Sequence, residues 1–314
     1  MSMLNQSDLL NQKAEELAKD NPALTQTIIK ELLHYDIIEA LYKSDIAKEI
    51  VFQGGTALRL CYGAFRYSED LDFVLKNTDT FTPEMMHSFN EVFINSIKKK
   101  YALKAEVEPP KAYEANDERL VDVKKWTAKI ILPSKSVRQP KINIEIANVP
   151  SYDNAIIMIK DNYSQPANRM VASLNVESKE EILADKVIAV AGREYFKARD
   201  FWDIKYLIDD RVQFNPSLVY KKIKDYHIEN FQEKFFNKLA LLKEEKTRNL
   251  FQKEMERFLD ADMISFMKDP SVVQSIFKAT EEIGKTIQTI DFENFDINKE
   301  VLEPSFNMFS MKKH

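Results

Sequence analysis

Glycine is the feature that most restricts this chain. Five glycines serve 314 residues, against a usual share of about 7%. Three of them, Gly54, Gly55 and Gly63, fall within one short stretch. So few residues suited to left-handed backbone leave little room for the tight hairpins of an all-β chain, and the many Lys, Glu, Leu and Ile residues favour helix. A largely helical protein with a modest sheet is expected. Gly54 and Gly55 standing side by side need a local backbone reason.

The hydrophobic pattern sets out the elements. Between residues 8 and 48, Leu9, Leu10, Leu17, Ile28, Ile29, Leu32, Leu33, Ile37, Ile38 and Leu41 recur at helical spacing, broken near Pro22. "EIVFQ" then reads as a short strand, the glycine pair as a tight turn, and "TALRLCYG" as a helix that Gly63 stops. "EDLDFVL" reads as a strand, "PEMMHSFNEVFINSIKKKY" as a helix opened by Pro83, and 117–148 as two strands around "PSKS". Residues 149–176 are expected to be an irregular join, and from Ser178 the pattern is helical almost to the end. The fold class that follows is α+β: a mixed-sheet domain with flanking helices over 1–170, then a helical bundle over 171–314.

The strand–turn–helix has a chemical use. Two glycines let the backbone take positive φ and admit a ligand close to the chain, while Thr56 is placed to cap a helix whose first amides attract anions. A phosphate would fit such a turn, although Gly-Gly before a helix is also common without one. In the next strand Asp70 and Asp72 alternate with Leu71 and Phe73, so both carboxylates leave one face while the apolar side chains leave the other. Two neighbouring carboxylates repel unless a cation lies between them, and hard oxygen ligands suit Mg²⁺ and, through it, nucleotide phosphates. The ordinary reading is a solvated edge strand. In "KINIEIANV" the isoleucines Ile142, Ile144 and Ile146 alternate with Glu145, which supplies a third carboxylate on a polar face. Three carboxylates suffice for two-metal phosphoryl chemistry.

Other features narrow the field. A net charge of −5 argues against a protein that coats nucleic acid non-specifically. One strip is locally basic, with Lys124, Lys125, Lys129, Lys135, Arg138 and Lys141 set against Asp122 and Trp126 among them; it is either a solvated strand and loop or a surface for a phosphate-bearing partner. Cys61, the single cysteine, lies among Leu58, Leu60 and Phe65 and is expected to be a buried hydrophobe. His34, His87, His227 and His314 have no ligand spacing, so a zinc site or serine triad has no support. The aromatic stretch 226–242 is expected to pack a bundle, and "FSMKKH" to fray. No basic stretch followed by an apolar core opens the chain and no apolar run approaches about 18 residues, so a cytoplasmic protein without membrane partners is expected.

"GGTALRL", "FRYSEDLDF" and "INIEI" together resemble the nucleotidyltransferase superfamily of polymerase-β-like fold, and "EEILADKVIAVAGREYFKARDFWDIKYL" narrows the resemblance to the AbiEii/AbiGii toxin family. By residue pattern alone, Lys186 lies beside an apolar helical stripe and Asp200 and Asp203 share a helical face, which also describes a surface salt bridge. The resemblance implies more. Asp70, Asp72 and Glu145 would hold Mg²⁺, with Glu145 activating the acceptor. Gly54, Gly55, Thr56, Arg66, Ser68 and Asp203 would line the NTP, and Lys186, oriented by Asp200, would meet its phosphates from the helical domain. The implied activity is transfer of a nucleotide from an NTP to an acceptor hydroxyl on RNA, such as the tRNA 3′ end, by the toxin of a toxin–antitoxin or phage-defence pair with an antitoxin partner. A non-catalytic nucleotide-binding or protein-interaction module on the same fold is the alternative, against which the complete set of repelling acids stands.

Overall fold

The computed structural model describes residues 8–77, 80–111, 121–132, 139–163 and 172–297. The "PSKS" turn, Lys135, Arg138, His314 and the "FSMKKH" tail lie outside them. The chain forms two compact units, Met1–Val176 with Arg257–Ala261, and Glu177–Glu256 with Asp262–His314.

The first unit is built on a mixed sheet in the order β3-β4-β5-β2-β1-β7-β6. The strands are β1 (Ile50–Gln53), β2 (Leu71–Leu75), β3 (Lys104–Glu108), β4 (Val123–Ile131), β5 (Lys141–Pro150), β6 (Asn154–Met158) and β7 (Ser173–Glu177). Helices α1 (Leu9–Leu17), α2 (Thr25–Lys43) and α4 (His87–Tyr101) flank it, and the four-residue α3 (Gly54–Ala57) follows β1 directly. β1 pairs antiparallel with β2 and parallel with β7, while β2 pairs parallel with β5. β2 is therefore central, and its apolar residues Leu71, Phe73 and Val74 are essentially inaccessible. Phe73 stacks on Phe52 of β1 with centroids 5.0 Å apart, and Trp126 of β4 meets Phe81 edge-on.

The expected helices and the strands β1, β2, β4 and β5 are present. The sheet is larger than the pattern predicted: β3, β6 and β7 were not anticipated, and β6 and β7 occupy the span read as an irregular join. β3 reads "KAEVE", an edge strand in which Ala105 and Val107 alternate with three charged residues, a pattern too short and too weakly apolar to mark a strand by itself. The "TALRLCYG" helix is also not uniform. After Ala57 it widens into a π turn over Leu58–Tyr62, which ends where Gly63 takes φ +83°. Cys61 is buried there, and burial pushes its thiol up to about 12, so it is a packing residue.

The second unit is helical: α5 (Lys179–Gly192), α6 (Ala198–Asp209), α7 (Pro216–Asp225), α8 (Phe231–Leu241), α9 (Glu245–Met255), α10 (Ala261–Phe266) and α11 (Pro270–Gln288). Ser178 caps α5 by accepting from the Glu181 amide at 3.0 Å, and Asn215 caps α7 with Pro216 at its first position. Phe196, Phe201, Phe251 and Phe277 form one aromatic cluster. Phe231 and Phe235 are buried, so the aromatic stretch packs the bundle as expected. Among the described residues no helix is long and apolar enough to cross a membrane.

A buried charge network organises this unit. Lys222 of α7 is wholly inaccessible, and its ammonium lies 2.9 Å from Glu177, 2.7 Å from Glu181 and 3.2 Å from Asp185. One cation faces three carboxylates. Burial and the neighbouring Asp185 charge hold the Glu177 carboxyl well above its ordinary range, so the group keeps its proton more readily than in water. Removing the lysine strands the acids, and breaking such a buried pair costs about 3–5 kcal/mol. A carboxyl whose folded pKa is raised stabilises the fold below its unfolded pKa and loses that contribution as pH rises through the folded value. Lys222→Met is therefore expected to lower unfolding free energy by about 3–5 kcal/mol at pH 7 and by clearly less near pH 5. Urea denaturation at the two pH values checks this; a deficit that does not change with pH refutes it.

Candidate active site

In the first unit the two glycines answer to different constraints. Gly54 takes φ +76°, and a Cβ there would come 3.0 Å from Asp72 Oδ2. Gly55 has no positive φ. Its hydrogen leaves room for Arg66, whose Nη2 would lie 2.0 Å from any Cβ at position 55. Arg66 is itself buried, and its Nη1 donates to the Tyr67 carbonyl at 2.9 Å. The pair thus lets both a carboxylate and a guanidinium pack against one turn. Thr56 is not the cap of α3: the cap position is Gln53, and the Thr56 hydroxyl donates to the Asp70 carbonyl. That contact ties the turn to the acidic motif, which explains the threonine better than capping does.

β2 starts at Leu71, with Asp70 immediately before it. Asp72 is the register partner of Gln53 on one side and of Glu145 on the other. Asn143 Nδ2 donates to Asp70 Oδ1 at 2.9 Å. Ser68 is buried just upstream. The structure therefore gathers Gly54, Gly55, Thr56, Arg66, Asp70, Asp72 and Glu145 around one end of β2. It also adds Lys125, opposite Glu145 in the β4–β5 register, whose Nζ donates to Glu145 Oε1 at 2.7 Å. Partial burial lowers the Lys125 pKa, but Glu145, then Asp70 and Asp72, outweigh it and raise the group.

The donor set suits a hard divalent cation, since the side chains are carboxylates and Lys125 stands in for positive charge among them. Among the described residues, three such ligating groups do not converge closely enough to enclose an ion by themselves. Glu145 would have to exchange its ammonium partner for a metal. The basic strip is correspondingly subdued, with Lys124 paired to Asp122 and Lys129 to Glu108.

In the second unit Lys186 of α5 is bound between two carboxylates of α6, 3.0 Å from Asp200 and 2.8 Å from Asp203, with Arg193 Nε 2.9 Å from Asp200. Asp200 and Asp203 are buried. Burial raises the Asp200 pKa, yet Lys186 and Arg193 outweigh it and hold the carboxylate below its ordinary value. The i, i+3 spacing on α6 turns both acids toward one lysine, and the pair is buried rather than superficial.

β2 thus opens on Asp-x-Asp beside a Gly-Gly turn, with a third carboxylate on its parallel neighbour β5. The family model described as "Nucleotidyl transferase AbiEii toxin, Type IV TA system" matches residues 36–279. The chain belongs to this family of nucleotidyltransferase toxins. Among solved structures it is similar to MenT4, a nucleotidyltransferase toxin from Mycobacterium tuberculosis, with 13% identity, a TM-score of 0.58 and coverage of 93% of this chain and 92% of that one. JHP933 from Helicobacter pylori is also similar, with 16% identity, a TM-score of 0.38 and coverage of 84% and 97%. No curated protein sequence matches.

The acidic loop has a support that sequence spacing did not reveal. His34 of α2 is buried, and its Nε2 lies 3.1 Å from the Glu69 carbonyl, which makes that nitrogen the donor. Nδ1 is buried with no hydrogen-bond partner among the described residues. Lys30 and Arg257 hold the Glu69 carboxylate at 2.8 and 3.3 Å, so the residue before Asp70 is pinned at its backbone and its side chain. Burial lowers the His34 pKa despite opposing pulls from the Glu69 carbonyl and from Glu31 and Asp70. A histidine with a depressed folded pKa contributes stability that is complete above its unfolded value of 6.5 and is lost as pH falls through the folded value. The wild type is expected to lose up to about 1.4 kcal/mol per pH unit in that window, whereas His34→Gln keeps a donor and loses none from this source. Denaturant titrations from pH 7 to 5 compare the two, and parallel pH profiles refute the assignment.

Proposed function

We propose that this toxin moves a nucleotide from an NTP to a hydroxyl of RNA, with the tRNA 3′ end as the acceptor, in a Mg²⁺-dependent reaction that a cognate antitoxin counteracts. The observation that carries the reading is the Asp72–Glu145 cross-strand pair with Asp70 beside it and a lysine ammonium among them. Asp70 and Asp72 would hold the metal, and Glu145 would join them once released from Lys125. Bound there, Mg²⁺ supplies charge neutralisation at the transferred phosphoryl group and a more acidic acceptor hydroxyl. Glu145 accepts the hydroxyl proton as the new O–P bond forms at the α-phosphorus and pyrophosphate leaves. The Gly54–Gly55 turn lets the phosphates approach backbone, and Arg66 and Ser68 line that approach. Lys186, kept charged and oriented by Asp200 and Asp203, binds phosphate oxygens.

Asp72→Asn keeps the shape of the side chain and removes its charge. Loss of several kcal/mol of transition-state stabilisation should lower transfer at least about a hundredfold, since each 1.4 kcal/mol is about tenfold. Incubating wild type and variant with each α-labelled NTP, Mg²⁺ and total RNA reads this directly: near wild-type labelling by Asp72→Asn removes the metal assignment, and labelled protein without labelled RNA removes the acceptor. The stand-in ammonium gives a second expectation that does not depend on turnover. Lys125→Met should enlarge the rise in melting temperature that Mg²⁺ produces, because the ion no longer competes with a resident cation. An equal or smaller rise counts against the exchange.

A further inference from the structure

The five residues Arg193–Lys197 that join α5 to α6 hold an exposed aromatic ring on a firmly anchored backbone. On one side of Tyr195, Lys238 Nζ donates to the Glu194 carbonyl at 2.7 Å. On the other, Phe196 stacks on Phe201 at 4.9 Å and meets Phe277 edge-on. Between these anchors the Tyr195 ring is 63% exposed. A single exposed aromatic is ordinary on a protein surface. This one differs in what surrounds it.

Lys197 Nζ lies 6.0 Å from the centroid of the Tyr195 ring. Lys197 and Arg199 share one carboxylate, Glu254, at 3.8 and 3.6 Å, distances long for charge-assisted hydrogen bonds. Arg193 adds a third cation whose side chain is 42% exposed. Burial first, then Arg199, lower the Lys197 pKa, and Arg193 adds to this against the pull of Glu254 and Asp200. Three cations, Arg193, Lys197 and Arg199, thus meet two carboxylates, Glu254 and Asp200, and a phosphate would give them a further anionic partner. A flat ring beside crowded cations matches the two needs of unpaired nucleic acid, a stacking platform and a phosphate track. A protein partner would call instead for a broader apolar patch around the ring.

We propose that this connector is a contact for the single-stranded part of the RNA acceptor, with Tyr195 stacking on a base and Lys197 and Arg199 meeting the adjoining phosphates. The inference rests on the RNA-acceptor reading above and adds a place where that strand is held. Tyr195 and Lys197 bind and do no chemistry, so NTP affinity should not depend on them.

The test measures binding by the full-length chain, using fluorescence anisotropy with a labelled RNA hairpin that carries an unpaired 3′ tail, and calorimetry with NTP. Tyr195→Ala should weaken RNA binding about tenfold to a hundredfold and leave NTP affinity unchanged, while Tyr195→Phe should bind as the wild type does. Lys197→Gln should reduce the log–log salt slope by about 0.7, the share of one phosphate contact on a single strand. Because Tyr195 is exposed, unchanged melting temperatures are expected for each variant. If the wild type binds and labels RNA but Tyr195→Ala and Lys197→Gln do so equally well, the contact lies elsewhere and the inference fails alone. If NTP affinity falls and RNA affinity does not, the ring serves the nucleotide and the inference is overturned. If the wild type neither binds nor labels RNA, the acceptor reading falls and takes this inference with it.

Discussion

The register of β2 is the constraint on which the first unit depends. Pairing with β1 on one side and β5 on the other sets Phe73 against Phe52 and Ile146, and by the same act sets Asp72 against Gln53 and Glu145. A slip of one residue would turn the aspartates into the layer now filled by Leu71 and Phe73 and expose those side chains instead. Burying an unpaired carboxylate costs several kcal/mol, so core packing and site geometry select the same register. The glycine turn joins this lock: Gly54 clears Asp72, Gly55 clears Arg66, and Thr56 holds the Asp70 carbonyl. Side chains that do no chemistry thereby decide where the chemical ones stand.

Both units crowd carboxylates and meet the repulsion with lysine, but at different depths. Lys222 is sealed among Glu177, Glu181 and Asp185, in a setting where charges attract strongly and desolvation is costly. It can only be structural, and it orients α5, the helix that carries Lys186 one position after Asp185. Lys186 itself is intermediate, mostly covered and held by two acids. Two buried carboxylates around one ammonium restrict its rotamers.

Sequence pattern revealed the parts whose side chains alternate and missed those whose side chains do not. β2 and β5 were legible because Leu71, Phe73, Ile142, Ile144 and Ile146 mark one face, and the carboxylates followed from the other. β7, "SLNVE", shows little alternation, and its last residue, Glu177, is a buried acid of the kind that pattern assigns to solvent. Lys222 was illegible for the same reason, since it sits in "YKKIKD" directly after Lys221 and two residues before Lys224. A signal did exist on α5, where Glu181 and Asp185 stand four apart among Ile182, Leu183 and Val187, acids that an apolar face must compensate. The contacts of Lys125, read only as part of a basic strip, and of His34, read only as lacking ligand spacing, were not legible because their partners lie far along the chain, Glu145 and Glu69, and no local spacing encodes such a meeting.

The contrast between Lys125 and Lys222 also suggests why the catalytic-type cluster can be reused while the structural one cannot. Lys125 and Glu145 are both partly exposed, at 49% and 33% of their side chains, and a surface ion pair of that kind is worth about 0–1 kcal/mol. Water can enter, the lysine can swing away on its flexible stem, and a divalent ion can take the vacated carboxylate with more charge to offer. At Lys222 the same exchange would leave a buried, unsolvated cavity and cost the fold. Under the proposed function, a cluster that would release one cation to accept another belongs where its side chains are partly exposed, as Lys125 and Glu145 are at the β2–β5 pairing.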